Sequence, residues 1–212
     1  MSRHIQILLV AAIAAAGLAA GYLVGRGPAE APVPQLESAT LFATPRALPV
    51  FSLTDQDGRP FGRTDLEGQW SILFFGFTHC PDVCPSTLAT LAAARRELAD
   101  LPEAAQPRVV LVTVDPERDT AEKLRAYVAF FDPAFAGVTG TPDAIASLTA
   151  QMGVAVRQGE RDEFGNYTVD HTAALFLVDP DGALVGIFST PHTPDGIAHD
   201  YRRILQAKRV AS

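Results

Sequence analysis

Cysteine is scarce: Cys80 and Cys84 are the only two in 212 residues. A bond between residues four apart closes too small a loop to add much stability, so a purely structural staple is a poor account of the pair. Basic charge is also short. Lys and Arg number 17 against 24 Asp and Glu, a net charge of −7, which argues against nucleic acid as a partner because phosphate binding needs a basic face. No run of like charges marks an acidic or basic tail. A phosphate-cradling glycine loop, a nucleophile elbow, a His-Glu-x-x-His zinc helix and an internal repeat are all missing. The Asp55-Gln56-Asp57-Gly58 turn lacks the alternating acidic ligands and terminal Glu of a calcium loop, which excludes calcium there.

What is present begins with a long apolar run. Residues 5–25 carry one strongly polar side chain, Gln6. As a helix this run would be roughly 30 Å long, the thickness of a bilayer core. Arg3 and the amino terminus flank its short side, which keeps the N-terminus cytoplasmic and sends the rest across; Arg26 opposes that bias. Residues 1–26 therefore read as a transmembrane anchor or, alternatively, a cleaved signal segment, and both readings export the remainder of the chain. Residues 27–48 are rich in Pro, Ala and polar residues without periodicity and read as a flexible linker. Residues 49–208 read as one folded domain with a sizeable core.

Within that domain, residues 50–54 and 59–61 form a short hairpin around the 55–58 turn. Residues 70–77 are continuously apolar, as in a strand covered on both faces, and lead into Thr78-His79-Cys80-Pro81-Asp82-Val83-Cys84-Pro85. A helix over 86–98 comes next, then a Val-rich strand over 108–114. Helices start at Thr120 and Thr141, both plausible N-caps, with Pro142 at a first helical position and Asp119 a second candidate cap. Residues 157–170 form a polar hairpin around Gly165-Asn166. Residues 172–178 and 183–188 make the clearest hairpin, and a helix over 193–208 closes the chain. This alternation predicts the α/β class with a mixed sheet. A right-handed crossover makes strands 70–77 and 108–114 parallel, so their C-terminal ends share one edge, the usual ligand edge. If strand 172–178 runs antiparallel to them, its beginning lies at that edge too. Cys80, Cys84, Asp115, Asp170 and His171 then converge.

The cysteine spacing puts both sulfurs on one face if a helix starts near Pro81, and a helix N-terminus favours the thiolate. Soft thiolates select Cu(I), zinc or iron–sulfur centres. Two sulfurs and one imidazole suit copper and are too few for a closed structural zinc site. His171 is the candidate third donor, though the residues equally allow a hydrogen-bonded histidine at a strand start. His79, beside Cys80, either ligates, tunes the thiols or points inward. Asp170 is a candidate acceptor for a histidine ring nitrogen, and Asp115 reads as a turn residue. His192 and His199 read as surface or packing residues. Phe77, Phe131 and Pro191 are candidates for a docking rim.

Three segments resemble a known family. Phe75-Gly76-Phe77-Thr78-His79-Cys80-Pro81-Asp82-Val83-Cys84-Pro85 resembles the signature of the Sco/SenC family. Val112-Thr113-Val114-Asp115-Pro116-Glu117-Arg118-Asp119-Thr120 is similar to its second motif. Val169-Asp170-His171-Thr172 with Phe176-Leu177-Val178-Asp179-Pro180-Asp181-Gly182 is similar to its third. The resemblance spans roughly residues 49–208. It implies a thioredoxin-like mixed sheet flanked by helices, with an extra hairpin before the His171 loop and an N-terminal anchor. It implies that Cys80, Cys84 and His171 bind copper, as Cu(I) and Cu(II), with Asp170, Asp115 and His79 in support. The implied role is assembly of the copper centre of respiratory cytochrome c oxidase. The implied partners are that oxidase's copper-bearing subunit and other copper chaperones, at a bacterial inner membrane with the domain in the periplasm. Two mechanisms fit: a metallochaperone, or a thiol–disulfide reductase that keeps the recipient cysteines reduced. A peroxidase would need an assisting Thr and Arg beside the thiolate; Thr78 is near Cys80, but no arginine can be assigned.

Overall fold

A computed structural model describes residues 35–211, with side chains to Lys208, together with Arg3, Ile5, Ala15, Gly17 and Leu18. The chain divides into two compact units, Pro34–Gln206 and the pair of segments Met1–Val33 and Ala207–Ser212. The first of these units carries the sheet and its helices. The anchor or signal segment expected over 1–26 lies outside the described residues apart from those five. Among the described residues no helix is long and apolar enough to cross a membrane.

The strands are β1 Ala39–Ala47, β2 Ser52–Asp55, β3 Pro60–Gly62, β4 Ser71–Gly76, β5 Arg108–Thr113, β6 Ala136–Thr139, β7 Val156–Gln158, β8 Val169–His171, β9 Leu175–Val178 and β10 Ala183–Phe188. The helices are α1 Val83–Glu97, α2 Ala121–Phe131, α3 Pro142–Met152 and α4 Pro194–Ala211. Eight strands form one mixed sheet in the order β1-β10-β9-β4-β5-β6-β2-β3, and β7 and β8 form a separate two-stranded sheet. β4 is its middle. All six β4 residues are buried, which is why the strand reads as a continuous apolar run rather than an alternation.

β4 and β5 are parallel, with Ile72 opposite Val109 and Gly76 opposite Thr113. β9 runs antiparallel to β4, with Phe74 opposite Leu175. The end of β4, the end of β5 and the start of β9 therefore share one sheet edge: the crossover makes β4 and β5 parallel, and β9 meets the antiparallel condition. Local signals set the helix starts. The Thr120 hydroxyl accepts from the Lys123 N–H at 3.3 Å and the Thr141 hydroxyl from the Ala144 N–H at 3.2 Å. Gly153 ends α3 at φ 72°, a conformation a side chain resists.

Three features depart from the expectations. First, the span expected as linker, 27–48, contains β1, which pairs antiparallel with β10. Its stabilisation is remote in sequence: the Asp200 carboxylate on α4 accepts from the backbone N–H groups of Glu37, Ser38 and Ala39 at 2.7–3.1 Å, and from the Ser38 hydroxyl. Second, β6, which links β5 to β2, has only four residues and no periodicity to announce it. Third, His171 does not begin β9. It ends β8, opposite Val156, and residues 172–174 separate it from β9.

The Asp200 contact carries a test. Burial alone would raise this carboxyl, but the three backbone N–H groups and His199 outweigh it and hold it below the usual range. A carboxylate lowered on folding contributes stability above its unfolded value, near pH 4, and loses it as pH falls through the folded value. Asp200→Asn is expected to destabilise the fold by about 2 kcal/mol at neutral pH. The gap from wild type should close as the pH falls below about 4. Urea unfolding at both pH values measures this; an equal gap at both would show that the charge is not what holds β1.

Candidate metal centre

The first sulfur donors come from the turn between β4 and α1. After Gly76 the chain turns sharply, with the Cys80 N–H on the Phe77 carbonyl. α1 then begins at Val83, so Cys84 lies in its first turn. Pro85 fits there because the first N–H groups of a helix have no partner within it. The Cys84 N–H instead points at Cys80 Sγ, 3.4 Å away. Cys84 is fully buried and Cys80 only partly. Gly76 makes the space: a Cβ there would lie 3.1 Å from Cys84 Sγ and 2.9 Å from the Phe74 ring.

The third donor arrives from the other side of the sheet edge. His171 Nε2 lies 3.5 Å from Cys84 Sγ, although 87 residues separate the two in the chain. Its Nδ1 faces the Thr172 carbonyl at 3.1 Å. A carbonyl only accepts, so this bond puts the proton on Nδ1 and leaves the Nε2 lone pair toward the sulfur. The rings of Phe74 and Phe77 meet the imidazole edge-on, with centroids 6.1 and 5.9 Å away. Burial pushes the imidazole down, against the Thr172 carbonyl and the Asp170 charge, and so favours the neutral form that can ligate. Burial also pushes the Cys84 thiol well up. The helix N-terminus was expected to favour the thiolate; for the buried sulfur, desolvation is the larger effect.

Cys80, Cys84 and His171 are thus brought together, and the supporting residues are elsewhere engaged. Asp170 faces solvent and pairs with Arg157 at 2.6 Å. Neighbours along a strand point to opposite faces, so Asp170 does not reach the ring of His171. Asp115 is buried, accepts from Arg118, and accepts from the Tyr167 hydroxyl at 2.6 Å. His79 turns Nδ1 to the Thr78 hydroxyl at 3.1 Å, with Asp119 at 3.7 Å. That hydroxyl also donates to Asp119 at 2.5 Å, so its proton is directed away from Cys80. Phe77 is buried against His171 rather than exposed on a rim; Phe131 is half-buried and Pro191 exposed.

Two further residues act on the site without having been foreseen. Asp119 does not cap α2, which Thr120 does. Its buried carboxylate accepts from the Thr78 N–H at 3.0 Å, the Thr78 hydroxyl and the Thr113 hydroxyl at 2.7 Å. It ties the start of the cysteine loop to the end of β5. Tyr167 lies four residues before His171, with the guanidinium groups of Arg118 and Arg161 3.6 and 4.3 Å from its ring centre. It fixes the β7–β8 hairpin to the segment after β5. The second motif contains Asp119, but nothing in its spacing points to Thr78.

Two sulfurs and a neutral imidazole form a donor set for a soft or borderline metal ion. The sequence model of the SCO1/SenC family matches residues 42–206. The chain belongs to the SCO1/SenC family. It is 37% identical over 202 residues to the mitochondrial SCO2 homologue of Bos taurus, covering 95% of this chain and 76% of that one. It is 38% identical over 178 residues to a putative copper-binding protein of Stutzerimonas stutzeri, covering 82% and 85%. Among solved structures, Arabidopsis thaliana ScoI with copper bound matches at a TM-score of 0.70 and 36% identity, over 74% of this chain and 98% of that one. Bradyrhizobium japonicum ScoI with copper bound matches at 0.66 and 36%, with the same coverage. The large mixed sheet flanked by helices in this chain matches the thioredoxin-like Sco structures.

Proposed function

We propose that this chain is a copper metallochaperone that holds one copper ion on Cys80, Cys84 and His171. The observation that carries the reading is the 3.5 Å approach of His171 Nε2 to Cys84 Sγ, with Cys80 Sγ against the Cys84 N–H. Copper is the cargo. The thiolates suit Cu(I), and the imidazole adds the donor that Cu(II) prefers. Cys80 is the more exposed sulfur and is the one an incoming thiol of a recipient reaches first. Cys84 and His171 then hold the ion until the recipient supplies further ligands. The relatives described as copper-bound or copper-binding support copper as the ion. The recipient in this reading is the copper-bearing subunit of respiratory cytochrome c oxidase, with other copper chaperones as donors. Delivery takes place in the periplasm, from a domain tethered to a bacterial inner membrane by the N-terminus.

Copper titration of the full chain tests this. Wild type should take up one equivalent of either Cu(I) or Cu(II). His171→Ala should lose Cu(II) binding and retain Cu(I) on two sulfurs, weakened by at least about tenfold. X-ray absorption should lose the nitrogen contribution. An unchanged Cu(II) affinity and spectrum in His171→Ala would end the ligand assignment.

One observation favours the reductase reading as a second. A partly exposed Cys80 beside a fully buried Cys84, with the Cys84 N–H on Cys80 Sγ, resembles an attacking thiol with a resolving one. Turnover with a cysteine-pair peptide separates the readings, since a reductase needs both cysteines and not His171.

A further inference from the structure

His192, in the segment between β10 and α4, takes no part in the donor set. Its Nε2 lies 2.8 Å from the Ala173 carbonyl. A carbonyl only accepts, so Nε2 carries the proton and donates. Nδ1 is buried and has no partner among the described residues. An orphaned buried nitrogen is unfavourable, and an apolar side chain of similar bulk would avoid it. Filling space therefore does not explain a histidine at this position, whereas the bond to Ala173 does.

That bond bears directly on the metal centre. Ala173 lies in the three residues between β8 and β9, the stretch that leaves His171. The preceding carbonyl, that of Thr172, receives His171 Nδ1 and so sets which ring nitrogen faces Cys84. Upstream, the Thr172 N–H and hydroxyl are paired with Ala155, at 3.0 and 2.9 Å. Downstream, Ala173 is held by His192. With both sides tied, the Thr172–Ala173 peptide has little freedom to rotate, and the Thr172 carbonyl stays under the imidazole. Without His192 the downstream tie is gone and the peptide can turn its carbonyl to solvent. His171 then loses the acceptor that aims Nε2.

We infer that His192 is a positioning residue for copper binding: it latches the segment after His171 to the end of β10 and so holds the imidazole toward the cysteines. The inference rests on the reading of His171 as a copper ligand.

Cu(II) is the probe, added to the full chain, with the nitrogen coupling in the electron spin resonance spectrum and the rate of loss to a chelator as readouts. His192→Leu keeps the bulk and removes the donor. It should still take up one equivalent, lose copper about tenfold faster and show weakened or heterogeneous nitrogen coupling. His192→Gln, whose amide can donate to the Ala173 carbonyl, should restore both to near wild type. A wild-type rate and spectrum in His192→Leu would overturn the latch. So would a Gln variant as impaired as the Leu variant. A second measurement does not depend on the variants folding. Ring nitrogen chemical shifts of the unmutated, metal-free chain should show His192 protonated on Nε2 and His171 on Nδ1, and the opposite tautomer at either ring would overturn the inference. His171→Ala is run alongside. If it binds Cu(II) as wild type does, the ligand reading itself has failed. If it is impaired while His192→Leu is not, only the latch has.

Discussion

Replacing Cys84 with serine is expected to weaken copper binding by about a thousandfold while the chain stays folded. A closed structural zinc set contributes roughly 10–16 kcal/mol. One donor of a three-donor soft set then carries on the order of 4 kcal/mol, which is close to three decades in affinity. Serine offers a hydroxyl that is neither soft nor ionised at neutral pH, so it does not replace the sulfur. The folding cost is small by comparison. The residue is buried beside Gly76, and a serine is no larger there. Its hydroxyl can donate to His171 Nε2, which faces the Cys84 sulfur in the wild type, so the loss is about 1 kcal/mol. Competition against a Cu(I) chelator of known affinity, paired with urea unfolding of the metal-free chain, separates the two effects. An affinity within about tenfold of wild type in a folded variant would remove Cys84 from the ligand set.

Much of this fold is legible residue by residue, where the signal is local. Thr120 and Thr141 cap the helices expected of them, and the apolar run of β4 reads directly as a strand buried on both faces. The parallel pairing of β4 with β5 follows from the helical crossover that joins them. What is not legible depends on partners far along the chain. The segment Ala39–Ala47 has an exposed, non-alternating pattern and becomes a strand because β10 and Asp200 hold it. The four residues of β6 include a glycine and are too few to show a period. The same contrast runs through the metal centre. The cysteine pair is visible as a spacing, but His171 stands 87 residues from Cys84, and from the residues alone it could equally have been a strand-start histidine. The resemblance of the three ordered motifs is what favours a donor there. Asp170 and Asp115 share the motifs with the candidate donors, yet a strand's alternation turns one away and Arg118 with Tyr167 occupies the other.

The second large effect is expected at a residue that touches no donor. Asp119→Ala should destabilise the fold by about 2–4 kcal/mol, the cost of leaving several buried hydrogen-bond donors without their acceptor. The carboxylate is wholly buried and is the acceptor for one backbone N–H and two hydroxyls. Alanine leaves the Thr78 N–H with no acceptor, and a stranded buried donor costs about 1–3 kcal/mol by itself. The hydroxyls can rotate, so they add less. Asp119→Asn keeps an acceptor for the Thr78 N–H and can donate to a threonine hydroxyl, and should cost about 1–2 kcal/mol. The functional consequence comes from position. Thr78 is two residues before Cys80, and the tie to Asp119 crosses 41 residues to the segment after β5. Cutting it frees the entry to the cysteine turn while leaving the α1 end in place. Cys80 should then react faster with a thiol reagent, whereas Cys84, held in the core against Phe74 and Gly76, should not. Urea unfolding of both variants and site-resolved alkylation of the two cysteines measure these effects. An alanine variant within about 1 kcal/mol of wild type, with both thiols reacting as before, would mean that the cysteine turn holds its shape without Asp119.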